Sequence, residues 1–104
     1  MKRNAFKMKL KPGFEKEYQL RHNKIWPELA EELSKAGVSD YSIFLDEETH
    51  ILFAFQKLAE NNTSANLAST EIVKKWWDYM SDIMEVNPDN SPLVVELKEV
   101  FHQD

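Results

Sequence analysis

The chain has 104 residues, enough for one domain with a modest core and no room for a second. Asp and Glu (18) outnumber Lys and Arg (13), and no basic run offsets the net charge of −5, which argues against a nucleic-acid phosphate partner. Cysteine is absent, which excludes disulfides, thiolate catalysis and thiolate zinc sites. No segment approaches the roughly 18 apolar residues of a membrane helix. Lys7, Lys9 and Lys11 interrupt the apolar run that a leader needs. The expectation is a soluble, cytoplasmic protein.

Across residues 5–11, Phe6, Met8 and Leu10 alternate with three lysines, a period of two that predicts a strand ended by Pro12-Gly13. A helical pattern follows, with Phe14, Tyr18 and His22 on one stripe. Pro27 lacks a backbone N–H and breaks this pattern near Trp26. A second helical segment, Glu28 to Ala36, sets Leu29 and Leu33 four apart, and Gly37 suits its C-terminal cap. Val38–Leu45 and Ile51–Leu58 read as strands joined into an antiparallel hairpin by the polar stretch Asp46 to His50. AENNTSAN is polar and leads into a short helical turn. Ser69–Met84 is the strongest helix, with Ser69 or Thr70 as cap and Ile72, Val73, Trp76, Tyr79, Met80 and Ile83 as a wide apolar stripe. NPDNSP is loop, and Leu93–Phe101 alternates again as a closing strand.

The order β-α-β-β-α-β predicts an α+β protein of one domain, residues 1–104, in the ferredoxin-like split βαβ arrangement with an antiparallel sheet. Its strands are apolar on both sides: Ile51, Phe53 and Phe55 point one way, Leu52, Ala54 and Leu58 the other. Helices cover only one face of such a sheet, and an apolar second face needs its own cover. A second copy of the sheet supplies it, giving a homodimeric α/β barrel.

Chemistry-bearing residues are few. His22, His50 and His102 lie far apart, with no HxH or HExxH spacing, so no metal site is expected. His50 lies in a polar turn and His102 near the terminus, where both are expected to be solvated. His22 alone sits among aromatics, where it is either structural or a proton-transfer group near neutral pH. Trp76 and Trp77 are about 100° apart on a helix. They serve either as core or as faces for the C–H-rich side of a sugar ring. Tyr41 is core or contributes a hydroxyl. No carboxylate pair stands out as a glycosidase dyad. With 2 glycines the chain has no phosphate-cradling loop, and there is no GxSxG.

RHNKIWPEL, SIFLDEETHILFAF, KKWWDYM and NPDNSP, in this order and spacing, resemble the L-rhamnose mutarotase family from AFKMKL to LKEVFH. The resemblance implies a cofactor-free enzyme that interconverts the α and β anomers of L-rhamnose. It implies that His22, in the RHN word, is the proton donor. Tyr18, Tyr41, Trp76 and Trp77 are then the sugar contacts. Lys24 stands where some members carry proline, a change that leaves the chemical groups intact. Ring opening needs one proton given to the ring oxygen and another removed from the anomeric hydroxyl. A bound water, a tyrosine or a carboxylate can take the second. Two other classes fit a small dimeric barrel: a cofactor-free monooxygenase with a flat aromatic substrate, and a non-catalytic ligand-binding module.

Overall fold

The computed structural model describes all residues, Met1–Asp104. Its elements in order are β1 (Lys2–Lys9), α1 (Glu15–Asn23), α2 (Pro27–Lys35), β2 (Val38–Asp46), β3 (Ile51–Leu58), a 3-10 helix (Ser64–Ser69), α3 (Glu71–Met80) and β4 (Val95–Glu96). All pairings are antiparallel, in the order β2-β3-β1-β4. This is the expected α+β class with a four-stranded antiparallel sheet. No helix is long and apolar enough to cross a membrane.

Two boundaries differ from the expectation. The helix expected over Ser69–Met84 is Glu71–Met80. Ser69 ends the 3-10 helix instead, and the Thr70 hydroxyl donates to the Leu67 carbonyl at 2.8 Å rather than capping α3. At the other end Met84 leaves the helical path to bridge Leu10, so the apolar stripe continues past the end of the helix. The closing strand expected over Leu93–Phe101 is ladder only at Val95–Glu96. Its one ladder neighbour is β1; outside the ladder the segment is held by the Leu93 N–H to Glu85 carbonyl bond, the Leu97 N–H to Ala5 carbonyl bond and the Arg3–Glu99 ion pair. Val100 and Phe101 are exposed.

One parity rule organises the sheet. Register places Phe6 opposite Ala54, and Met8 opposite Leu52, on the face that the helices cover. Ile43 and Leu45 join them from β2. With Leu10, Leu29, Val73, Met80, Ile83 and Met84 they build the core. On the other face Phe44 is 61% and Phe55 46% exposed, and their rings meet edge to face at 5.8 Å. Nothing in the chain covers them.

Local punctuation sets where the helices stand. α1 stops at Asn23, and Trp26 in extended backbone precedes Pro27 at the first turn of α2, where a missing N–H costs nothing. Gly37 follows α2 at φ +87°, and a Cβ there would meet Asn62 at 3.0 Å, so the turn into β2 requires glycine. Lys24 lies just past α1, and its N–H donates to the Leu20 carbonyl at 3.2 Å, a bond that proline could not make.

Candidate active site

Between the helices and the inner sheet face lies a cavity of 1270 Å³. Ordinary ligand pockets measure about 300–1,000 Å³, so one monosaccharide fills only part of it. Tyr18, His22, Tyr41, Trp76 and Trp77 all line it. The fold thus brings together every site residue expected from sequence.

α1 supplies Tyr18 and His22, one turn apart, with rings stacked at 4.3 Å and 28°. His22 Nδ1 lies 3.0 Å from the Tyr18 carbonyl. A carbonyl only accepts, so Nδ1 carries the proton and the neutral ring presents Nε2 as its free, basic nitrogen. Nε2 has no protein partner, nor is it sealed from solvent. Burial pushes the His22 pKa below its ordinary value, and the Tyr18 carbonyl only partly opposes that.

Tyr18 is 8% exposed, so the same side chain is core and cavity wall. Its pKa is raised by burial first and by the nearby Tyr41 second. Tyr41 is 38% exposed, yet desolvation pushes its phenol up to about 12. Both phenols therefore stay protonated near neutral pH and act as hydroxyl donors or acceptors, not as phenolate bases.

Tyr41 reaches the cavity because β2 changes parity. Ser39 pairs with Lys57 and Ser42 with Phe55, leaving Asp40 and Tyr41 together opposite Gln56. Asp40 takes φ +47° to make this bulge. Tyr41 then shares the inward face with Ile43 and meets Phe6 edge to face at 6.4 Å. The signal was in the sequence: inward apolar residues run from Val38 (even) to Ile43 and Leu45 (odd), and only an extra residue reconciles them.

α3 supplies the tryptophans. Trp76 is buried, standing perpendicular to His22 at 5.4 Å and to Trp26 at 5.0 Å. Trp77 is half-buried. Neither indole N–H has a protein acceptor, and neither is sealed away.

Sequence reasoning missed several residues. Asn4 donates to Gln56 at 3.0 Å across the inner face, leaving one amide oxygen and one amide N–H for a ligand. Glu96 sits opposite Phe6 with no protein partner. Polar residues at inward parity were the available sign for all three. The solvated role expected for His50 is corrected: its Nε2 lies 3.1 Å from Glu15 Oε1, tying the hairpin to the start of α1. His102 is exposed near the terminus, as expected, with its ring 2.8 Å from Asp104.

Fold and cavity together define a small α+β protein with an aromatic-walled cavity and one histidine on its wall. The family model for L-rhamnose mutarotase matches residues 3–103. An L-rhamnose mutarotase of Bacteroides thetaiotaomicron is 67% identical and one of Phocaeicola vulgatus 62% identical, each over the full length of both chains. The crystal structure of L-rhamnose mutarotase from Formosa agariphila superposes with a TM-score of 0.94 at 56% identity, covering all of both chains. The chain belongs to the L-rhamnose mutarotase family.

Proposed function

We propose that the chain interconverts the α and β anomers of L-rhamnose without a cofactor, with His22 as the proton donor. The observation that carries this assignment is the arrangement at His22: Nδ1 is committed to the Tyr18 carbonyl, leaving Nε2 free on the cavity wall. The protonated ring gives the Nε2 proton to the sugar ring oxygen as the C1–O bond breaks. A second group takes the proton of the anomeric hydroxyl, and the aldehyde forms. Rotation about C1–C2 and reversal of both transfers closes the other anomer. A positioned general acid of this kind contributes about 10² to 10⁴ in rate.

Tyr18, Tyr41, Trp76 and Trp77 hold the sugar. Indole and phenol faces take its C–H side, and unpartnered O–H and N–H groups take its hydroxyls. The raised phenols argue against tyrosinate as the second acceptor. Glu15 and Asp40 are engaged by His50 and Lys57, and Glu47 lies in the hairpin turn. Glu96, directly or through a water, takes that proton.

The assembly is a homodimer of ferredoxin-like subunits, sheet against sheet, in a cytoplasmic location. The strand order β2-β3-β1-β4 supports the subunit fold. The uncovered face around Phe44 and Phe55 supports the dimer. Sedimentation at micromolar concentration should give about twice the 12.2 kDa chain mass, whereas a folded monomer would remove the paired-sheet architecture.

Incubating the protein with one pure L-rhamnose anomer and following exchange by NMR tests the activity. Exchange well above the uncatalysed rate, without oxygen uptake, is the expected outcome. Oxygen consumption with a flat aromatic substrate would favour a monooxygenase. Binding without exchange would favour a ligand-binding module.

A further inference from the structure

α1 carries the proposed proton donor, yet little apolar packing holds it in place. Tyr18 is its one buried residue, and Leu20 is 47% exposed. His50 ties the first residue of α1, Glu15, to the hairpin, and the polar attachment next to His22 is Arg21, whose side chain is only 10% exposed and does not line the cavity. Its Nε donates to Glu17 at 2.9 Å, one turn back on α1. Nη1 donates to the Tyr79 carbonyl at 2.8 Å, near the C-terminus of α3. Nη1 and Nη2 together grip Asp82, at 2.9 and 3.3 Å. The fixed fork of a guanidinium meets these partners at once, which the single ammonium of lysine cannot do.

The same guanidinium lies 4.4 Å over the Tyr79 ring. Tyr79 stacks on Trp26 at 5.5 Å, Trp26 abuts Trp76, and Trp76 abuts His22. The contacts run from Arg21 through three aromatics back to the residue beside it. We infer that Arg21 is the positioning residue of the site: it clamps α1 to the end of α3 and so fixes His22 against Trp76. It acts through His22 and touches no sugar.

This role rests on the proposed function only for its effect on turnover. The test therefore has an arm that needs no activity. In Arg21→Lys, circular dichroism reports the fold, NMR titration reports the His22 ring, and saturation transfer reports kcat and KM for L-rhamnose. The expected result is a folded protein in which α1 loosens, His22 is rehydrated and its pKa climbs toward 6.5. Turnover falls by roughly 10- to 100-fold, mainly in kcat, as misplaced catalytic groups do. Asp82→Asn, at an exposed position, should move both readouts the same way by less, because Glu17 and the Tyr79 carbonyl still hold the fork. Should Arg21→Lys fail to fold, Asp82→Asn decides between the same two outcomes by the same readouts. Folded variants with an unmoved His22 titration and wild-type turnover would overturn the inference. A moved His22 titration in a protein whose wild type exchanges no anomers would leave the clamp standing and remove the proposed function.

Discussion

α3 and α1 wall the same cavity but are held there differently. α3 buries Val73, Trp76 and Met80, and side chains of this size stabilise by about 1.5–3 kcal/mol each when fully buried. α1 buries Tyr18 alone and leans on ion pairs whose acids are largely exposed, Asp82 at 64% and Glu17 at 41%. Such pairs typically contribute about 0–1 kcal/mol each. What α1 lacks in burial it has in direction: the guanidinium hydrogen bonds fix an angle, where apolar contact would only hold a surface. The wall that carries the tryptophans is packed, and the wall that carries His22 is aimed.

On this contrast, changes on α1 should act on turnover or binding, changes at the buried positions of α3 on stability, and a change at half-buried Trp77 on binding. The largest expected effect is His22→Asn, which keeps size and hydrogen bonding but cannot shuttle a proton near neutral pH. Anomer exchange should fall by about 10² to 10⁴ in a protein that still folds and binds the sugar. Next comes Trp76→Ala, which empties the buried junction of His22, Trp26 and Trp76 and should cost about 3–5 kcal/mol in denaturant unfolding. Trp77→Ala should leave the melting transition nearly in place while raising KM by up to about tenfold, the worth of one aromatic contact. Indole fluorescence should also move on saturation with L-rhamnose. If Trp77→Ala merely unfolds the protein, Trp77 belongs to the core and the contrast is blunted. Tyr18→Phe is the smallest change: it keeps the ring against His22 and removes one hydroxyl. KM should rise about 2- to 10-fold, the net worth of a single hydrogen bond, with kcat little altered.

Element types and most boundaries were legible because period and punctuation agree: β1 alternates, Pro27 and Gly37 bracket α2, and Asp46–His50 is polar throughout. The end of α3 was not legible, because Ile83 and Met84 stay buried after the helix unwinds, and burial alone prolongs an apolar stripe. The closing strand failed for the opposite reason. Leu93–Phe101 alternates, but a ladder needs a neighbour, and pairing partners are not written in one segment. Within the site, His22 and the aromatics were visible as residue types. Arg21 was not, since its partners Tyr79 and Asp82 lie 58 and 61 residues away along the chain. Tyr41's aim depended on a bulge that only the parity change of β2 betrays.

The pH dependence of kcat/KM, set beside an NMR titration of His22 in the free protein, tests the role of His22 most directly. Burial favours the neutral ring, so the His22 pKa lies below 6.5 and the acid form is lost as pH rises through it. A proton donor must be protonated in the free enzyme to act. With His22 as that donor, kcat/KM should fall as pH rises through the titration midpoint of His22, and this limb should be absent in His22→Asn. A rate that climbs through that midpoint, or a limb that survives the substitution, would contradict the assignment.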